Sequence, residues 1–103
     1  MKVVLTPTAR VELSEIWVWN AKDRGILHAD NYIEFLERSI ATLSKKFEKG
    51  RLVGDHPNYR YIVMKRSSKG HGHIAVYEVD GNEVRVLHIF HTAQNWQSKI
   101  SDA

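Results

Sequence analysis

Apolar residues recur along this chain with two different periods, and the change of period divides it. "KVVL", Lys2 to Leu5, is short and β-branched and reads as a first strand. Thr6-Pro7 ends it. Thr6 suits the cap of a helix whose first residue is Pro7, where the missing N–H costs nothing. Ala9, Leu13, Ile16 and Trp17 then recur at spacings of three and four, with Glu12 and Glu15 turned the other way. An amphipathic helix is expected as far as Asp23-Arg24-Gly25, with Val18 and Trp19 off its core stripe. A second, stronger stripe follows: Ala29, Tyr32, Ile33, Leu36, Ile40, Leu43 and Phe47. Its last turn is rich in lysine, which complements the negative helix end, and Gly50 is a natural stop. Few residues separate the two helices, so they should pack as an antiparallel hairpin.

Beyond Gly50 the period falls to two. "RLVGDHPN" reads as a loop with a brief strand at Leu52-Val53. "YRYIVMKR" sets Tyr59, Tyr61, Val63 and Lys65 on one face and Arg60, Ile62, Met64 and Arg66 on the other. "SSKGHG" is a turn-rich break. "HIAVYEV" and "EVRVLHIF" are strands joined by "DGN", a tight hairpin signal. Strict alternation puts Val84, Val86, His88 and Phe90 on one face of the last strand, and Arg85, Leu87, Ile89 and His91 on the other. On this pattern His88 packs with the core face. The element order is β-α-α-β-β-β. The helical hairpin is the cover available for the sheet, which gives an α+β fold: two antiparallel helices on a mainly antiparallel sheet of three to four strands. Residues 1–96 read as one domain and residues 97–103 as a polar, frayed tail.

Charge adds to this pattern. The net charge is +3, but residues 45–73 hold eight Lys/Arg against two Asp/Glu, a local balance of +6. His56, His71 and His73 fall in the same segment. Such clustering suits an acidic partner, either nucleic acid or an acidic protein segment. The chain has 0 cysteines, which excludes disulfide and thiol chemistry and suits a reducing compartment. No apolar run approaches the roughly 20 residues that span a bilayer. The run before Pro7 is too short for a signal peptide, so a soluble cytoplasmic protein is expected, with no membrane partner.

Candidate chemistry narrows quickly. His71 and His73 form an H-x-H whose rings share a side of a strand, but no carboxylate stands at ligand spacing beside them. His88 and His91 are split across the sheet by alternation. No metal or other cofactor is therefore expected. Serine-hydrolase and phosphate-loop motifs are absent from the sequence. Metal-free RNA cleavage needs a base for the 2′-OH, cations for the phosphate and an acid for the leaving group. Arg60, Lys65, Arg66, His73, Tyr77 and His91 could supply these if they converge. The alternative is that Tyr77 is a half-buried strand residue and that Arg60 and Lys65 are solvated edge charges.

"TPTARVELSEIWVW", the long helix "ADNYIEFLERSIATLSKKFEKGR", the basic strand and "GHIAVYEVDGNEVRVLHIFHTAQNW" together resemble the RelE/ParE toxin superfamily of type II toxin–antitoxin modules. The likeness covers residues 2–96 and is closest to the ParE branch. It rests on Thr8-Ala9, Gly50, the strand Gly72 to Tyr77, and a last strand ending in His91 before Asn95 and Trp96. The resemblance implies a toxin neutralised by a cognate antitoxin with an acidic C-terminal segment, and leaves a dimer or a heterotetramer with that antitoxin open. ParE-like members poison DNA gyrase; RelE-like members cut mRNA on the ribosome. The RelE-like branch carries an Arg near the position of His91, and Asn95 replaces the acid common a few residues after the last strand; these departures weaken a catalytic assignment and favour the ParE-like reading. Should the chain be an enzyme, the resemblance implies a metal-independent endoribonuclease acting through Lys65, Arg66 and His91. Partner or target contacts are expected at Arg60, Lys65, Arg66, His73, Tyr77, His91 and Trp96. A non-toxic binding module of the same fold is the further alternative.

Overall fold

Thr6 caps the first helix as its position implies. Its Oγ1 accepts from the Ala9 amide at 3.2 Å, and Pro7 opens the helix. In the computed structural model, which describes residues 1–100, strand β1 (Lys2–Leu5) leads into α1 (Pro7–Arg24) and α2 (Ile26–Ala41). Gly25, at φ 95°, turns the chain between the two helices in a conformation that L side chains avoid. The apolar stripe of the second helix runs on as expected, but the helix does not. It breaks at Thr42, whose hydroxyl donates to Ser39 O at 2.6 Å, and resumes as α3 (Leu43–Lys46). Leu43 and Phe47 still reach the core because the break only tightens the turn.

The sheet has five strands, one more than the upper expectation. They are β1, β2 (Arg51–Leu52), β3 (Arg60–Met64), β4 (His73–Asp80) and β5 (Glu83–His91), in spatial order β1-β5-β4-β3-β2. β1 runs parallel to β5, and the remaining pairs are antiparallel. One core lies between helices and sheet, with Leu36, Ile40, Leu43, Met64, Tyr77 and Val86 among its residues. The opposite face carries a smaller cluster of Val53, Ile74, Val76, Phe90 and Trp96. The tail expected from residue 97 onward begins with a 3-10 turn, Trp96–Lys99, and Ile100 packs on the smaller cluster. Residues 101–103 of that tail lie outside the described residues.

One register detail reorganises the last strand. Asp80 pairs with Glu83 and Tyr77 with Val86, yet Val76 pairs with His88, so Leu87 is an extra residue bulged out of the ladder. A bulge reverses alternation beyond it. Val84 and Val86 face the helices, as does Ile89, whereas His88 and Phe90 face away. The expected grouping of His88 with Val84 and Val86 is thus overturned. The His88 ring stacks on Phe90, 4.7 Å between centroids. The carbonyl that Leu87 turns out of the ladder is met by the Thr6 hydroxyl at 3.1 Å.

On its other side β5 has no strand partner past β1, because β1 ends at Leu5 and pairs only with Glu83 to Val86. Glu12 fills that place. Its Oε1 accepts from the Ile89 amide at 2.9 Å and lies 3.3 Å from His88 Nδ1. Glu12 therefore does not point away from the sheet, as helical spacing suggested. Glu12→Ala should cost about 1–2 kcal/mol, since it strips the acceptor from a part-buried amide. Glu12→Gln keeps an acceptor and should recover most of that loss. Equal losses for both variants in urea unfolding would show that the edge bond is not the source.

Candidate functional site

A cleft of about 970 Å³ opens between the α1–α2 hairpin and the ends of β4 and β5. Tyr32, Arg66, His71, His73 and His91 line it, with Trp19 at its rim. Tyr32 arrives from α2, where its helical spacing made it look like a core residue. His73 opens β4 and is paired directly with His91 on β5. Because of the bulge, both rings lie on the helix side of the sheet, edge to face at 5.1 Å. His71 stands 5.5 Å from His91 on the other side. Gly72 between His71 and His73 passes so close to the Met64 carbonyl and Lys65 that a Cβ would collide with both. A residue without a side chain therefore lets the two histidines approach β3.

Hydrogen bonds fix the rings. The Tyr32 hydroxyl and His73 Nδ1 are 2.6 Å apart. His91 Nδ1 accepts from the Ala93 amide at 3.0 Å, while the His91 amide donates to Gln94 Oε1 at 2.8 Å. His71 Nδ1 lies 3.5 Å from Thr92 Oγ1, which also accepts from the Gly72 amide. Arg66 lies over the rings of Tyr32 and Phe35, at 5.7 and 5.6 Å, and donates to Asn31 O.

Electrostatics follow from burial. His73 is 8% exposed, and burial, reinforced by His91, lowers its pKa to about 4. Burial and then His71 lower His91. Burial raises Tyr32, partly offset by Arg66. Near neutral pH, His73 is thus uncharged and Tyr32 keeps its proton.

Other sequence candidates lie elsewhere. Tyr77 is 0% exposed; its hydroxyl donates to Phe47 O at 2.7 Å and accepts from Gly50 N at 3.0 Å. Arg60, paired with Tyr77 in register, donates to Gly50 O at 2.8 Å. Both hold the corner after α3 rather than the cleft. Lys65 is exposed and lies outside the cleft lining. Trp96 belongs to the opposite face of the sheet, edge-on to Tyr61 at 4.8 Å. The structure therefore brings together Arg66, His73 and His91, and adds Tyr32 and His71. The H-x-H spacing was the available signal for His71.

Among the described residues no group of His, Asp or Glu is arranged to hold a metal ion. His91 gives a chemical reason. A backbone N–H occupies the lone pair of Nδ1, so the neutral ring carries its proton on Nε2 and has no lone pair left for a metal.

The family model for the ParE toxin of type II toxin-antitoxin system, parDE, matches residues 3–96. No curated protein matches the chain. Among solved structures, the chromosomal ParDE TA system from P. aeruginosa matches at 20% identity and a TM-score of 0.75, covering 87% of this chain and 94% of that one. A conserved hypothetical protein from Helicobacter pylori matches at 20% identity and a TM-score of 0.51, covering 91% of this chain and 97% of its own. At such identities the likeness is one of fold.

Proposed function

The chain belongs to the ParE toxin family of type II toxin–antitoxin systems, and from that premise we propose that it is a cytoplasmic toxin that inhibits DNA gyrase and is silenced by a cognate antitoxin. The observation that carries the gyrase reading is that three of the six candidate RNA-cutting residues lie apart from the cleft. Arg60 and Tyr77 are spent on the backbone around Gly50, and Lys65 stands outside the cleft. The imidazole that Tyr32 holds in place is neutral at pH 7, so it cannot serve as the protonated acid that a leaving group needs. These features support a surface that binds its target rather than one that cuts it.

Two features fit an antitoxin. Val18, Trp19, Ile26 and Leu27 are exposed around the tip of the helical hairpin, with Trp19 75% exposed. β2 covers β3 only at Arg60 and Tyr61, leaving the outer edge from Ile62 to Met64 open to an added strand. No helix among the described residues is long and apolar enough to cross a membrane.

The second reading, a metal-independent endoribonuclease, has the convergence of Arg66, His73 and His91 in its favour. A supercoiling assay with purified gyrase and relaxed plasmid separates the two. We expect lost supercoiling and accumulated cleaved DNA, relieved by the antitoxin. Unaffected gyrase together with mRNA cleavage in a translating extract would transfer the function to the second reading. Neither effect, with harmless expression, would leave a binding module.

A further inference from the structure

The histidine cleft is an array of hydrogen-bond donors, and its wiring defines what it can hold. His91 Nδ1 faces the Ala93 amide, which can only donate. The imidazole proton therefore sits on Nε2. His73 Nδ1 lies 2.6 Å from the Tyr32 hydroxyl, and with that hydroxyl as the donor the His73 proton also sits on Nε2. Thr92 Oγ1 accepts from Gly72 N and has a second lone pair, so its 3.5 Å approach to His71 Nδ1 does not fix that ring's tautomer. His91 thus presents N–H at Nε2, and His73 does so when Tyr32 donates. Arg66 adds guanidinium N–H groups beyond the one it commits to Asn31.

We propose that this cleft is a carboxylate pocket that takes one acidic side chain or chain terminus of a peptide partner, gripped by the Nε2–H groups of His73 and His91 and by Arg66. An anion is the complement of N–H donors grouped with a guanidinium. The rest of the lining is of mixed charge: Glu12, Glu15 and Asp23 share the cleft with Arg24, Lys69 and Lys99. Interspersed carboxylates repel a polyanionic strand at several points, whereas a single peptide carboxylate needs only Arg66 and the histidine donors. Trp19 at the rim offers an apolar surface to the residue next to that carboxylate. The pocket deepens the antitoxin reading, and rests on it only for the identity of the peptide.

The test uses the full chain and sodium acetate as probe, followed through the histidine side-chain 15N–1H signals. His91 should be in its Nε2–H form, and acetate should shift the Nε2–H signals of His73 and His91 saturably. Arg66→Gln should weaken acetate binding at least tenfold while its backbone amide spectrum stays native. An Nδ1–H tautomer at His91, or a response to acetate that does not saturate, overturns the pocket. So does a short single-stranded RNA that occupies these histidines more tightly than acetate does. Acetate binding alongside unaffected gyrase would keep the pocket and discard the target; gyrase inhibition with silent histidines would do the reverse.

Discussion

Acidification from pH 7 to pH 4 should destabilise this fold by up to about 3 kcal/mol through His73 alone, because one pKa unit corresponds to roughly 1.4 kcal/mol. The His73 ring binds its proton near pH 4 in the folded protein and near 6.5 in a free chain. Between these values the unfolded state holds more protons than the native state. Stability is therefore full above pH 6.5 and is lost progressively as the pH falls towards 4. The cost arises because a second ring proton must be accommodated beside Tyr32 and opposite His91, away from water. His91 is lowered too and pushes in the same direction. Urea unfolding at a series of pH values reads the slope, and NMR titration of the His73 ring reads its cause. His73→Gln, which cannot be protonated, should flatten the slope. A His73 ring that titrates near its ordinary value would remove the explanation.

The same burial bears on function. With His73 uncharged at neutral pH, the cleft grips an anion by N–H donation, and Arg66 supplies positive charge. As the pH falls towards 4, protonation of His73 would strengthen the attraction for an anion while weakening the fold around it. Binding and stability are thus opposed across that range.

Much of this architecture was legible in the residues, and what was not has identifiable causes. Thr6-Pro7, Gly25 and Asp80-Gly81 are strong local signals, because each meets a backbone requirement within its own few residues. The two helices and the faces of β3 followed from periodicity. β5 did not, because a bulge adds one residue without any mark in composition. Counting back from the Asp80–Glu83 pair without it would set His73 opposite Phe90; with it, His73 meets His91. The cleft therefore depends on Leu87, a residue that takes no part in it. Glu12 was misplaced for another reason. Helical spacing gives its angle on α1, but not the open strand edge that lies beside it where β1 ends. Tyr32, Tyr77 and Arg60 show a further limit. Spacing puts a residue on a face and does not say whether its polar end meets a ligand or a backbone carbonyl.

Tyr77→Phe should cost about 2–4 kcal/mol, although it removes a single oxygen, because a buried donor and acceptor lose their partner at once. The hydroxyl joins Phe47 O to Gly50 N from a side chain with no solvent access, and Arg60 holds Gly50 O from the other side. Gly50 itself is needed for space rather than for backbone freedom. It is not among the glycines at positive φ, but a Cβ there would overlap the Tyr77 hydroxyl and crowd the ring. Gly50→Ala should therefore cost about 3 kcal/mol or more, since neither the packed ring nor the sheet below it can yield cheaply. The pair supplies its own control. With Tyr77→Phe already present, Gly50→Ala meets a ring without its hydroxyl, so the worst overlap is gone. The double variant should then fall short of the summed single losses by about 1 kcal/mol or more. Urea unfolding of the four proteins closes the cycle. Strict additivity would mean that the two residues act on stability separately, and that the corner between α3 and β2 is not pinned by their contact.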